Sequence, residues 1–389
     1  MLAGMHGLRV AVSRILTILA LGLLALTTLA TPQLAAAECP DIRMAVVGPM
    51  TGHLELMGEQ MRRGAQLATD DINARGGIGG CKIALTVHDD EADPTTAIAV
   101  AKKLAEDRVR FVIGHYNSGT SIPASRVYAK NNTLMVSPAS TNPALTEFKL
   151  WNVVRTSGRD DVQGTFAAEY MADHFPDRNL AIVSDGTPYG DGLANKAGKA
   201  LRAKKHREVL AAKIKQGQGD FGGLISKMKA AKIEVLFFAG LAEDFGQLIR
   251  QTKDAGLNVQ FISGDGTLVD DLKVIAGPAL EGVLFVFSLE DRSNPAAASV
   301  VGRFRSQGFE PEAYTLKSYA AVQVIAKGLE MAGVQAPRAV AASIKSGRPI
   351  PTVLGDLTFD TKGDRLKRDT AMYVWTKQSN GDFITEAAK

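Results

Sequence analysis

The sequence predicts an α/β protein built as two doubly wound parallel-sheet lobes in tandem. Three observations predict it. Short apolar runs alternate with helix-length segments along almost the whole chain. The alternation forms two series, the second beginning after Arg155-Thr156-Ser157-Gly158. Within the first series, two successive apolar runs end in small polar segments. Phe111-Val112-Ile113-Gly114 leads into Asn117-Ser118-Gly119-Thr120, and Leu134-Met135-Val136 leads into Ser137-Pro138-Ala139-Ser140-Thr141. Open α/β sheets bind ligands at the carboxyl ends of their strands. Either turn alone reads equally as Ser and Thr capping the next helix. Two adjacent turns of one composition point to a binding edge.

The chain starts with Arg9 and Arg14, an apolar run Ile15 to Leu26, and small residues Ala35-Ala36-Ala37. That order predicts a secretory signal peptide over 1–37, cleaved near Ala37. The apolar core is short and broken by Thr27-Thr28, which disfavours a membrane anchor. Glu38 stands where a lipid-anchored Cys39 would need a small residue. The mature protein is therefore expected to be exported and periplasmic. Without Arg9 and Arg14 the formal charge falls from +4 to +2. So mild an excess, spread along the chain, disfavours nucleic acid as a partner. Cys39 and Cys81 are the only cysteines, and each precedes an apolar strand candidate, Ile42–Val47 and Ile83–Val87. If those strands are parallel neighbours, the two sulfurs share a sheet edge and pair in an oxidising compartment.

In the first series, Met44–Val47 forms a strand ending in Gly48-Pro49-Met50-Thr51-Gly52. The following helix places Met61, Ala65, Ala68 and Ile72 on one face and stops at Gly76-Gly77. The next strand ends at His88-Asp89-Asp90-Glu91, and Asp93-Pro94 opens a helix as cap and first-turn residue. The acidic cluster Asp89 to Asp93 lacks a calcium-loop spacing and reads as loop solvation and capping. In the second series the expected strands are Leu180–Ser184, Val209–Ile214, Val235–Gly240, Val259–Ser263 and Gly282–Ser288. Helices are expected over Gly192–Lys204, Phe221–Ala231 and Asp244–Ala255, then near Pro295–Ser306, Ala313–Ala332 and Ala336–Ser346. A strand Ala371–Trp375 closes the chain.

The second series repeats the edge chemistry. Tyr189 follows Leu180–Ser184, Leu241 follows Val235–Gly240, and Asp265 lies in Ser263-Gly264-Asp265-Gly266. Each loop alone is also ordinary turn chemistry. As a set they offer hydroxyls and helix N-terminal N–H groups for a carboxylate on one side, and Asp265 for an ammonium on the other. A zwitterionic amino acid bound between two lobes needs such a pair.

The chain resembles the periplasmic branched-chain amino-acid-binding proteins of ABC transporters, the Leu/Ile/Val-binding family with the type I periplasmic-binding fold. The likeness is carried by Ala45-Val46-Val47-Gly48-Pro49-Met50-Thr51-Gly52, Asp71-Ile72-Asn73-Ala74-Arg75-Gly76-Gly77-Ile78, Val112-Ile113-Gly114-His115, Val136-Ser137-Pro138-Ala139 and Tyr189-Gly190-Asp191-Gly192-Leu193-Ala194. Phe245-Gly246-Gln247-Leu248-Ile249-Arg250-Gln251 and Tyr319-Ala320-Ala321 extend it. The resemblance implies lobes of residues 38–158 with 290–367 and 159–288 with 368–389, joined by a three-stranded hinge near Gly158, Ser288 and Arg368. It implies that Ser118 and Thr141 hold the ligand carboxylate, with Ser140 in the same loop. Ala139 offers its carbonyl to the ammonium, Tyr189 closes from the second lobe, Asp265 is the acidic ammonium partner, and Tyr314 lines the side-chain pocket. With the cleft open, Asp265 is expected to stand in water.

The sequence departs from the family pattern at several positions. Tyr116 replaces a leucine beside the carboxylate loop, Met57 and Leu241 replace cleft tyrosines, and Asp265 is one methylene shorter than the usual Glu. Ala92 and Asn117 stand where the family commonly has a disulfide. A Tyr116 ring facing Tyr314 shortens the pocket. That favours compact aliphatic ligands such as alanine, valine, proline or 4-aminobutyrate, with leucine and isoleucine within range. Alternatively, Tyr116 packs into its own lobe.

No enzyme signature fits. Gly76-Gly77-Ile78-Gly79-Gly80 follows the first helix rather than preceding it, so a dinucleotide fingerprint fails. No Gly-x-Ser-x-Gly elbow surrounds Ser118. The expected protein is a monomer without cofactor that closes on an amino acid and docks on an inner-membrane ABC permease. The alternative is an extracytoplasmic sensor of amino acids or amides feeding a signalling receptor. Neighbouring permease and ATPase genes, or a kinase gene, would separate these two.

Overall fold

The computed structural model describes residues 39–288, 291–312, 314–367 and 370–388. The expected signal segment and its cleavage site lie outside the described residues, as do the hinge position Arg368 and the lobe-boundary residue Glu290. The chain divides between Pro40 and Asp41, and both large sheets lie in Asp41–Lys389.

The first sheet contains β1 (Ile42–Gly48), β2 (Ile83–Asp89), β3 (Phe111–Gly114), β4 (Leu134–Ser137) and β5 (Val153–Arg155), in the order β2-β1-β3-β4-β5 and parallel throughout. Its crossovers are α1 (Glu55–Ala74), α2 (Pro94–Glu106), α3 (Ser118–Lys130) and the short α4 (Ala144–Glu147). β3, β4 and β5 are short, mostly apolar runs buried on both faces, as helix-covered parallel sheets require, whereas the edge strand β2 is half-exposed.

The second sheet is built from β6 (Leu180–Ser184), β7 (Leu210–Lys213), β8 (Val235–Ala239), β9 (Gln260–Ser263) and β10 (Leu284–Ser288). Between them run α5 (Asp160–His174, which leads into β6), α6 (Pro188–Ala203), α7 (Gly222–Ala230), α8 (Ala242–Asp254) and α9 (Asp271–Ala276). After β10 come α10 (Ala298–Ser306), α11 (Thr315–Ala332), α12 (Pro337–Ile344) and a two-stranded ribbon, β11 (Ile350–Thr352) with β12 (Gly355–Leu357). The chain then adds β13 (Thr370–Lys377) and β14 (Phe383–Ala387) antiparallel at the edge, giving the order β14-β13-β10-β9-β8-β6-β7.

The elements follow the sequence reading with instructive departures. Met61, Ala65, Ala68 and Ile72 of α1 are buried as expected. That face packs on α11, so closely that a Cβ at Gly64 would lie 2.1 Å from the Thr315 carbonyl oxygen. Asp93 caps α2, accepting from the Thr95 and Thr96 amides at 2.8 Å. Helix α6 starts four residues before the expected Gly192, because Thr187 caps it through Gly190 N (3.0 Å) with Pro188 at its first position. Likewise α3 starts at Ser118, inside the polar segment Asn117-Ser118-Gly119-Thr120. β1 and β2 are parallel neighbours with Ile42 opposite Ile83, and Cys39 and Cys81 are both disulfide-bonded. No helix among the described residues is long and apolar enough to cross a membrane.

Each sheet reverses its winding once, between β1 and β3 in the first and between β6 and β8 in the second. The loops leaving the two strands at such a point turn to opposite faces and open a crevice at the carboxyl edge. Met57 and Tyr116 follow the first pair of strands, and Tyr189 and Leu241 follow the second.

Candidate functional site

A cavity of about 160 Å³ lies between these two edges. Tyr116, Ser118, Ala139 and Thr141 line it from the first sheet, and Tyr189, Leu241 and Asp265 from the second. Tyr314, just before α11, completes the wall. These eight residues singled out by the sequence reading come together around one space. At its mouth the two sides touch. Asn142 Nδ2 donates to the Pro188 carbonyl at 2.6 Å, and a Cβ at Gly119 would lie 3.5 Å from the Pro188 ring.

The first-sheet wall suits an anion. Ser118 and Gly119 open α3, whose first amides have no carbonyl one turn earlier to bond. Their N–H groups, the helix dipole and the hydroxyls of Ser118 and Thr141 all favour a carboxylate. The loops carrying them are fastened from behind. The His115 carbonyl accepts from the Ser137 hydroxyl at 2.9 Å, and the hydroxyls of Ser121 and Ser140 each lie 3.3 Å from it. The Ser140 hydroxyl also lies 2.8 Å from the Tyr116 carbonyl. Ser140 therefore belongs to the scaffold behind the cavity and does not line it.

Asp90 corrects the reading of the acidic cluster as solvated loop. It is fully buried, with Oδ2 at 2.7 Å from His115 Nδ1, while His115 Nε2 lies 3.0 Å from the Tyr128 hydroxyl. The spacing holds no hint, because the partner lies 25 residues away, after β3, with β1 between their two strands.

The opposite wall suits a cation. Tyr189 donates to Asp265 Oδ1 at 2.9 Å and accepts from Gly266 N at 3.0 Å. Asp265 N donates to Gln163 Oε1 at 3.1 Å. Asp265 is only 6% exposed, so the expectation of a hydrated carboxylate does not describe this closed arrangement. Burial raises its pKa. Sequence reasoning missed Asp160, at the start of α5. It is fully buried, its N–H bonds the Thr141 carbonyl at 3.0 Å, and burial and then the Asp265 charge hold its pKa well above the ordinary range. From sequence it is one more acid in a helix's first turn. The raised value reflects the cost of charging a second buried carboxyl near Asp265, a cost that a nearby ammonium would relieve.

The Tyr116 and Tyr314 rings meet edge to face with centroids 5.0 Å apart. Met57 lines an adjoining cavity of about 320 Å³, separated from the first by Tyr116 and Leu241, which border both. Tyr116→Leu should join the two spaces. It should raise affinity for leucine relative to alanine by about 1–3 kcal/mol, measured as the ratio of the two dissociation constants by calorimetry. An unchanged ratio would show that Tyr116 does not bound the ligand.

The chain matches the family described as periplasmic binding protein over residues 41–382. It belongs to that family. A "Leu/Ile/Val-binding protein homolog 1" of Brucella melitensis is 48% identical over 343 residues, covering 88% of this chain and 92% of the relative. Among solved structures, the fold is that of the leucine binding protein LivK from Thermotoga maritima (TM-score 0.82, 24% identity, covering 89% and 98%). An ABC transporter substrate-binding protein from Desulfitobacterium hafniense, solved with Leu, is 27% identical with a TM-score of 0.73, covering 89% and 100%. These relatives are binding proteins of the type I periplasmic fold and not enzymes, in keeping with a periplasmic binding protein whose cleft holds a ligand without transforming it.

Proposed function

We propose that this periplasmic binding protein closes on a small aliphatic amino acid and delivers it to an ABC permease. The observation that carries the reading is the pairing of opposite walls. Ser118, Gly119 and Thr141 offer donors to a carboxylate, and Asp265, flanked by Asp160 and Tyr189, offers acceptors to an ammonium. The cavity of about 160 Å³ supports a compact ligand, since sites for drug-sized molecules run to roughly 300–1,000 Å³. Alanine, valine, proline and 4-aminobutyrate fit that description, with leucine and isoleucine at its upper limit. The Brucella relative's name and the leucine complex of the Desulfitobacterium protein support the branched-chain end of this range.

In this reading the Ala139 carbonyl helps hold the ammonium, and residues 38–158 with 290–367 form one lobe, 159–288 with 368–389 the other. Ligand meets the first lobe's donors, and the second lobe swings in to complete the contacts. The chain acts as an exported monomer whose closed form docks on the permease. Calorimetry of unfolded, ligand-stripped and refolded protein against the amino acids and 4-aminobutyrate tests this. Micromolar or tighter binding of at least one aliphatic member is expected, and no binding across the panel refutes the reading.

A further inference from the structure

Behind the first-sheet wall of the candidate site, three polar side chains share a space closed to water. Asp90, His115 and Tyr128 are each 0% exposed. They form one chain of bonds, with Asp90 Oδ2 at 2.7 Å from His115 Nδ1 and His115 Nε2 at 3.0 Å from the Tyr128 hydroxyl. A carboxylate can only accept, so His115 Nδ1 carries the hydrogen of the first bond. In the neutral ring Nε2 then accepts, and the Tyr128 hydroxyl donates to it. Burial, and then the Asp90 charge, raise the Tyr128 pKa, which keeps that hydroxyl a donor. The other Asp90 oxygen, Oδ1, accepts from Ala92 N at 3.0 Å.

The chain of bonds joins segments that the sheet leaves apart. Asp90 stands in the loop between β2 and α2, where Glu91 and Ala92 adopt left-handed backbone (φ 52° and 54°) that side chains rarely take. Ala92 lines the cavity. His115 stands between β3 and α3, directly before the lining residues Tyr116 and Ser118. β1 separates β2 from β3, so no backbone ladder connects the two loops. Tyr128 belongs to α3 itself, the helix whose first amides face the cavity. The helix cannot slide or turn about its axis without breaking the His115–Tyr128 bond, and a buried bond has no water to replace it.

We propose that Asp90, His115 and Tyr128 are positioning residues for the ligand carboxylate, a buried strut that holds the Ser118 and Gly119 donors in their binding arrangement before ligand arrives. None of the three lines the cavity, so they act only through the donors. Without the strut the first turn of α3 samples other arrangements. Apparent affinity then falls by the fraction of chains whose donors are in place, and it falls through the rate of capture. Dissociation starts from a closed cleft in which the ligand itself holds the donors, so its rate should change little.

The test rests on the amino-acid reading for its probe, L-valine. Stopped-flow fluorescence gives both rate constants for the wild type, Tyr128→Phe, Asp90→Leu and Asp90→Asn. Tyr128→Phe keeps the ring and removes the donor, and Asp90→Leu removes both acceptors. Each should slow association by roughly three- to tenfold, the scale of one lost buried hydrogen bond. Asp90→Asn should restore most of the rate. Its carbonyl can accept from Ala92 N while its amide donates to His115 Nδ1, leaving Nε2–H to donate to Tyr128. A strut that served stability alone would lower the melting temperature and leave association unchanged. Unchanged association in Tyr128→Phe and Asp90→Leu, or equal slowing in Asp90→Leu and Asp90→Asn, overturns the proposal. If Asp90→Leu does not fold, Tyr128→Phe against Asp90→Asn carries the same comparison. Should no aliphatic amino acid bind, the ligand reading fails and the strut is judged on the ligand-free chain. Amide order parameters of Ser118 and Gly119 by NMR should then fall in Tyr128→Phe, and values equal to the wild type's overturn it.

Discussion

Asp265→Ala should weaken amino-acid binding by roughly thirtyfold or more, because truncating one partner of a desolvated charge pair costs about 2–5 kcal/mol and each 1.4 kcal/mol is about tenfold. The Asp265 carboxylate is buried, and the Tyr189 hydroxyl donates to it at 2.9 Å. An incoming ammonium would therefore meet an acceptor whose hydration has already been removed. The same substitution takes an acceptor from Tyr189 in the unliganded protein, a hydrogen bond to a charged group worth about 1.5–3 kcal/mol in a closed cleft and less where an open cleft lets water take its place. Affinity should thus fall more than stability. If Asp265 acts only as a turn residue in Gly264-Asp265-Gly266, the order reverses, with a clear drop in melting temperature and little loss of affinity. Both quantities measured on one variant, by calorimetric titration and thermal unfolding, separate the two.

Arg155→Met should destabilise the fold by about 3–5 kcal/mol, the usual result of leaving buried charge without its partner. Arg155 is fully buried at the end of β5, with Nε 2.8 Å from Asp364 Oδ1. It also donates to the Ser140 carbonyl (2.9 Å), the Asn142 carbonyl (3.2 Å) and the Thr146 hydroxyl (2.8 Å). Met fills similar space and supplies none of these bonds. Arg159 still reaches Asp364, which limits the loss. Because Ser140 and Asn142 flank Thr141, binding should weaken as well. Urea denaturation measures the first effect, and a loss below about 1 kcal/mol would mean that Arg159 and entering water replace the guanidinium. The solvent-exposed Lys103–Asp107 pair provides the contrast, and Lys103→Met should leave the unfolding midpoint unchanged.

The sequence made the parallel strands legible, because Phe111–Gly114, Leu134–Ser137 and Val235–Ala239 are short, continuous and apolar, a pattern that buried strands share. β14 escaped notice for the opposite reason. Phe383–Ala387 is an edge strand with mostly exposed residues, held by a turn in which Gln378 N bonds the Asp382 carbonyl at 2.7 Å. The walls of the cavity were readable where a residue's chemistry differs from that of an ordinary turn, as with Tyr189. They were unreadable where function depends on what approaches from elsewhere. Asp160 and Asp90 look like common surface acids until the fold sets a second carboxyl or a buried imidazole beside them. Met57 was expected at the rim of the cleft, and it lines the adjoining space that Tyr116 and Leu241 divide from the first.

The three serine hydroxyls gathered on the His115 carbonyl give the two halves of the cleft different histories. The donor loops after β3 and β4 are ordered by contacts within their own sheet, so the entropy of arranging them is spent during folding and not at each encounter with ligand. In the proposed closure, Tyr189 and Asp265 gain their full value only once the opposite side arrives. Substitutions behind the donor loops would then act on how fast a ligand is caught, and substitutions around Asp265 on how long it stays.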